Sequence, residues 1–236
     1  MARVSLNHIT KENVKALMLG GLSLAQPGPA LACKYFSHKV VLFPCMNYSS
    51  EALNYLENEF HFHDDDVFNI TYPKSGTHWM LEILSLLHRD RDPGWGRSVR
   101  NWDRAPWIDN HSGLKDALKY PSPRLLSSHL PAQLFPKSLQ CSKAKIICTL
   151  RCPKDVLVSL YHFYKPLRTF ELPESLDSFL EDFLSGNVPI GSWFDHVTGW
   201  MGLRDSENFF AITYKELQQD GQGSMREFCV TMASAP

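Results

Sequence analysis

Residues 72–79, YPKSGTHW, bring a lysine, two hydroxyls and a single glycine together within four positions, a combination that suits an oxyanion. Gly76 lets backbone N–H groups turn toward one point, and a helix starting just after it adds the partial positive charge of its N-terminus. Lys74 puts a full charge beside that cradle, and Ser75 and Thr77 offer hydroxyl donors. The first glycine of Gly-x-x-x-x-Gly-Lys is missing and the lysine precedes the glycine, so the element is P-loop-like without being a Walker A loop. Taken alone, an ordinary turn with an exposed lysine explains these residues equally well. Two further polar positions follow apolar runs, Arg151 after 144–150 and His129 after 124–128. A histidine titrates near neutrality and can act as a general base, although a lone histidine ahead of Pro131 is more often structural.

These residues share a site only if the chain brings the ends of those runs together. Residues 66–72 (DVFNITY) read as a strand, and 79–88 (WMLEILSLLH) as a helix from their apolar spacing. The unit recurs: 144–150 (AKIICTL) is a buried-strand pattern, and 155–164 (DVLVSLYHFY) a helix entered through Pro153. A third strand at 209–213 runs into a helix over 214–219, and 124–128 (RLLSS) leads into His129 and the proline-punctuated stretch with Pro131 and Pro136. Strands alternating with helices predict an α/β fold, a parallel sheet sandwiched between helices on both faces. Parallel order puts every strand's carboxyl end on one edge, where ligands bind in such sheets.

With 236 residues, 44% hydrophobic, the chain is long enough for one well-buried core. A net charge of -1 of mixed sign gives no basic field for nucleic acid or an anionic membrane, so an anion site must be local. Six cysteines without Cys-x-x-Cys knuckles fit free thiols in a reducing compartment, and hence a cytoplasmic location. His61, His63, Asp64, Asp65 and Asp66, bunched ahead of a strand, read as a solvated turn in preference to metal ligands. The apolar run at 16–25 is too short to span a bilayer, and the residues before it include Asn7, Glu12 and Asn13, unlike a signal peptide. Residues 1–40 are accordingly expected to be an irregular segment, 41–229 the folded domain and 230–236 a divergent tail.

The stretches TYPKSGTHW (71–79) and RCPKDVLVS (151–159) are similar to the 5′-phosphosulfate loop and the 3′-phosphate motif of the cytosolic sulfotransferases. The similarity extends over residues 41–220. SSHLPAQLFPKSL, GSWFDHVTGWM and NFFAITYKELQQD resemble the hydroxysteroid branch, as does Ser127-Ser128-His129, with serine where the phenol enzymes usually carry lysine.

The resemblance implies transfer of a sulfonate group from 3′-phosphoadenosine 5′-phosphosulfate (PAPS) to a steroid-like or other small lipophilic alcohol, with no metal. By motif position His129 is the general base, and Lys74 meets the bridging oxygen of the leaving group, with Ser75 restraining it. Gly76, Thr77 and His78 meet the 5′-phosphate, Trp79 packs on adenine beside Tyr214, and Arg151 and Ser159 clasp the 3′-phosphate. Phe60, Trp95, Trp102, Trp107, Tyr164 and Phe170 are candidates for the acceptor pocket or for core. His78 stands where the family usually has threonine or asparagine, and it still donates a hydrogen bond. The family's Arg-Lys-Gly and Gly-Asp-Trp-Lys region and its Lys-Thr-Val-Glu type dimerisation element are not matched. Losing two 3′-phosphate hydrogen bonds implies donor binding weaker by about 3–6 kcal/mol, and leaves a homodimer without its usual element. The alternatives are a catalytically silent relative that holds nucleotide or sterol weakly and, less favoured for want of a magnesium carboxylate, a nucleotide kinase.

Overall fold

The computed structural model describes residues 34–88, 93–167, 175–219 and 223; the run at 16–25, Phe170 and the tail at 230–236 lie outside them. β1 (Tyr35–His38) and β2 (Val41–Pro44) form an antiparallel hairpin, so regular structure starts inside the stretch expected to be irregular. α1 (Ser50–Glu59) follows, its first turn closed by the Ser49 side chain accepting from the Ala52 amide at 3.2 Å.

The central sheet starts with β3 (Val67–Thr71), which leads through the loop at 72–76 into α2 (Thr77–His88). The short helices α3 (Pro93–Ser98), α4 (Asn101–Arg104) and α5 (His111–Ala117) carry the chain to β4 (Leu125–Ser128). Two 3₁₀ turns follow β4, and then β5 (Lys145–Leu150) enters α6 (Pro153–Tyr164) through the expected proline at its first turn. Last come α7 (Leu176–Ser185), α8 (Trp193–Met201), β6 (Phe209–Thr213) and α9 (Tyr214–Gln219).

The strands pair in the order β4-β3-β5-β6, every pair parallel. Alternation along them sorts side chains to two faces. Phe68, Ile70, Leu126, Ile146 and Cys148 pack with Leu53 and Leu56 of α1 and Trp200 of α8. On the opposite face Leu125, Ile147 and Ile212 meet Met80, Leu81 and Leu84 of α2 and Leu217 of α9. Helices on both faces of a parallel sheet are the architecture expected from the sequence. Among the described residues no helix is long and apolar enough to cross a membrane.

The cluster ahead of β3 is the expected exposed turn at His61, His63, Asp64 and Asp65, and departs from it only at Asp66. Asp66 is fully buried and paired bidentately with Arg124, Nε to Oδ1 at 2.8 Å and Nη2 to Oδ2 at 2.5 Å. Asp65 accepts from the Ser122 hydroxyl, and Asp64 from the Lys143 amide. The acids bind neighbouring segments at the amino ends of the strands, the edge away from the loops that carry Lys74, His129 and Arg151. The burial of Asp66 comes from an arginine far along the chain, a partner that local composition does not reveal.

Candidate active site

All four parallel strands end at one edge, and each hands over directly to a residue of interest. β3 leads to Tyr72 through Gly76, β4 to His129, β5 to Arg151 and β6 to Tyr214. Three of the exits are fixed by the helices they enter. Thr213 and Glu216 form a reciprocal cap at the start of α9: the Glu216 carboxylate accepts from the Thr213 amide at 2.8 Å, and Thr213 Oγ1 accepts from the Glu216 amide at 3.2 Å. This cap holds Tyr214 at the first helical position.

The loop between β3 and α2 is held in a strained shape. Lys74 has φ 68°, a left-handed conformation that costs a side-chain-bearing residue about 1–2 kcal/mol. Arg151 compensates by donating from Nη1 to the Lys74 carbonyl at 2.7 Å, which ties the first motif to the second. The Lys74 ammonium stands 4.4 Å from the centroid of the Phe163 ring on α6. Burial lowers its pKa from the ordinary lysine value, and the neighbouring Arg151 charge adds to that. Ser75 Oγ and Arg151 Nε are buried without a hydrogen-bond partner. Two idle donors beside a partly buried cation are what an anion-binding site offers.

Gly76 has φ 105°, and a Cβ there would stand 2.6 Å from Cδ2 of Tyr214. Its bare backbone allows the ring of Tyr214 to close over the loop. Trp79 meets Tyr214 edge-to-face at 5.6 Å, and the Arg151 guanidinium lies 4.6 Å from the same tyrosine's centroid. Trp79, Tyr214 and Arg151 thus form one aromatic and cationic corner. Gly76→Ala is expected to lower the unfolding free energy by about 1–3 kcal/mol. Denaturant titration reads this, and an unchanged midpoint would show that loop and ring relax freely.

Thr77 opens α2 with its hydroxyl 2.7 Å from that of Thr71, and its carbonyl accepts from Asn69 on β3 at 3.1 Å. These bonds fasten the helix N-terminus to the strand behind it. His78 Nδ1 accepts from the Asn101 amide at 2.7 Å, which leaves its proton on Nε2. Burial pushes its pKa down to about 4, with His129 and Lys74 adding to the shift. Ser159 lies part-buried on α6, beyond Arg151 on the same strand-to-helix unit.

His129 is oriented from several sides. Its ring Nδ1 donates to the Thr71 carbonyl at 2.7 Å, so Nε2 carries the free lone pair. Its backbone amide donates to Asp109 Oδ2 at 2.9 Å. Burial raises the Asp109 carboxyl to about 6, against the opposing pull of the hydrogen bonds it accepts. Trp107 neighbours both imidazoles, 5.8 Å from His78 and 6.0 Å from His129.

Trp107 and Trp102 also line a cavity of about 430 Å³ with Met46, His111 and Asp116. Of the other aromatic candidates, Phe60 is buried in the core beneath the Arg124 guanidinium, and Tyr164 packs against Phe179. Trp95 faces Arg104 at 5.9 Å. Asn101, Asp109 and Phe163 support the site, yet no motif singles them out, and the motif at 71–79 does not reveal that the Thr71 carbonyl holds His129. Each acts through a partner distant in sequence.

The sequence matches the Sulfotransferase domain family over residues 64–230. Sulfotransferase 2B1 of Homo sapiens is 50% identical over 196 residues, 83% of this chain and 54% of the relative. A 3-beta-hydroxysteroid sulfotransferase of Cavia porcellus is 43% identical, over 80% of this chain and 66% of the relative. The chain therefore spans between about half and two thirds of the length of these relatives. Among solved structures, mouse sulfotransferase SULT7A1 in complex with PAP superposes with a TM-score of 0.71 at 30% identity, covering 84% of this chain and 68% of the other.

Proposed function

Since the chain belongs to the sulfotransferase family, we propose that it transfers a sulfonate group from PAPS to the hydroxyl of a steroid-like or other small lipophilic alcohol. The observation that carries this reading is the convergence of Lys74, Arg151 and His129 at the carboxyl edge of three adjacent parallel strands. A sulfonate donor with two phosphate groups needs cations and idle donors at one end and a base at the other. Unpartnered Ser75 Oγ and Arg151 Nε fit that requirement.

In this reading Lys74 stabilises the charge that develops on the leaving oxygen as the sulfur–oxygen bond breaks, and Ser75 steadies it. The 5′-phosphate lies against Gly76, Thr77 and His78 at the start of α2. Trp79 and Tyr214 flank the adenine, and Arg151 with Ser159 takes the 3′-phosphate. Nε2 of His129 accepts the proton of the acceptor hydroxyl as its oxygen attacks sulfur. The indole of Trp107 beside His129, and the relative named for a hydroxysteroid substrate, favour an apolar alcohol. Exposed thiols at Cys141 and Cys152 accord with a cytoplasmic setting.

The test is transfer of radiolabelled sulfonate from PAPS to a panel of hydroxysteroids and phenols by the purified chain without added metal. Labelled steroid product is the expected result. A folded chain that binds the nucleotide and labels nothing would overturn the transferase reading and leave a silent nucleotide-holding relative.

A further inference from the structure

His129 differs from the other residues at the sheet edge in having no α-helix directly after it. The loops carrying Lys74, Arg151 and Tyr214 each run straight into a helix, α2, α6 or α9, which fixes their backbone. After His129 come Leu130 and Pro131, which has no N–H to donate, and only a 3₁₀ turn beyond. Its backbone must therefore be held by other hydrogen bonds. Three are in place, one local and two from distant segments. Asp109 takes the His129 amide, Ser128 Oγ takes the Leu130 amide at 3.0 Å, and Trp200 Nε1 on α8 donates to the Leu130 carbonyl at 3.0 Å.

The His129 carbonyl is left, and a second residue of α8 lies near this segment. His196 precedes Trp200 by four positions, so the two side chains lie on one helix face one above the other. His196 is 1% exposed, and neither ring nitrogen has a hydrogen-bond partner. Its ring meets the Tyr72 ring edge-on at 5.5 Å, and the His129 backbone is near enough to act on its titration although no hydrogen bond is in place. Tyr72 opens the Lys74 loop and is itself tied to the Gly191 carbonyl at 2.8 Å. His196 thus touches the two segments that must stay in register, the one bearing the base and the one bearing Lys74. A buried imidazole with both nitrogens idle is costly unless one of them finds an acceptor.

We propose that His196 is a positioning residue: it donates a ring N–H to the His129 carbonyl and, with Trp200 and Asp109, fixes the direction of the His129 ring. This rests on His129 being the base of the proposed transfer. Burial pushes the His196 pKa down to about 3, so the ring stays neutral with one proton to donate throughout the working range.

Two variants separate hydrogen bonding from packing. His196→Phe keeps a flat ring but cannot donate, and His196→Gln loses the ring but keeps an N–H. For a positioning role, H196F lowers kcat on the order of 10–100-fold at nearly unchanged KM for PAPS, since a misplacement near 1 Å costs about that much. H196Q stays within a fewfold of wild type. The opposite ranking, or equal losses in both, overturns the proposal.

A readout independent of turnover is the ¹⁵N and ¹H spectrum of the His129 ring. Its Nδ1–H signal, held by the Thr71 carbonyl in the parent and in H196Q, broadens by exchange in H196F. Identical His129 signals in all three proteins would also overturn the proposal, whether or not the chain transfers sulfonate. Should H196F not fold, a folded H196Q that loses the signal decides against it in the same way.

Discussion

Lys74→Met lowers kcat for sulfonate transfer on the order of a thousandfold, while the fold and most of the nucleotide affinity survive. Methionine has nearly the length of lysine without its charge, and it replaces one side-chain-bearing residue at φ 68° by another, so backbone strain is unchanged. The Arg151 bond to the residue 74 carbonyl needs only the backbone and remains. The contact with Phe163 passes from cation–π to a thioether over a ring, which is also favourable. In the proposed role the loss is a charge beside an oxygen that turns strongly negative only as the bond to sulfur breaks. An interaction made mainly in the transition state appears in kcat. The checks are kcat, KM for PAPS and melting temperature of parent and variant. If KM rises and kcat holds, Lys74 serves binding alone and its assigned role is wrong.

How the strained loop is held shows what the sequence makes legible. The strand, loop and helix unit at 66–88 is readable from apolar spacing and one glycine, and the structure places β3 and α2 within a residue or two of that expectation. The same holds for β5 with α6 and β6 with α9, because each is a local pattern closed by a local signal: Pro153 in one case, the Thr213 and Glu216 cap in the other. Once three parallel strands are legible, the common edge comes from topology, and the phosphate-loop residues, His129 and Arg151 fall beside one another without further information.

The parts that stay hidden rest on partners far along the chain. Arg151 holding the Lys74 carbonyl joins residues 77 positions apart, and the Thr71 carbonyl that sets the His129 tautomer is 58 positions away. Neither spacing has a periodicity to read. Asp66 illustrates the same limit: composition makes it a surface acid, and Arg124 makes it a buried one. Phe60 and Tyr164 show the reverse case, since an aromatic side chain announces burial but not whether a ligand or the core covers it. Side-chain identity at a strand end is local information, whereas the direction of that side chain is tertiary.

The direction matters most at His129, where the second large effect is expected. If His129 is the base as proposed, His129→Ala lowers kcat about 10²–10⁴-fold, and it removes a feature expected in the pH profile of the parent chain. The ring accepts a proton only when neutral. Burial holds its pKa down, the Thr71 carbonyl opposes this, and the Lys74 charge adds to it, leaving a value of about 4. A base with a lowered pKa is competent above that value and fails as pH falls through it. The parent's kcat/KM for PAPS, which reports the free enzyme, should therefore stay level through pH 6.5, where an ordinary histidine would already be titrating, and decline only near pH 4. The anionic donor, once bound, offsets the Lys74 charge, so the acid limb of kcat should lie higher than that of kcat/KM. A base this weak cannot deprotonate a free alcohol, and it has no need to. The hydroxyl becomes acidic only as its oxygen bonds to sulfur, so the proton moves late and an imidazole with a fixed lone pair is sufficient. An H129A enzyme that keeps the parental rate, or that keeps the same acid limb, would show that another group takes the proton.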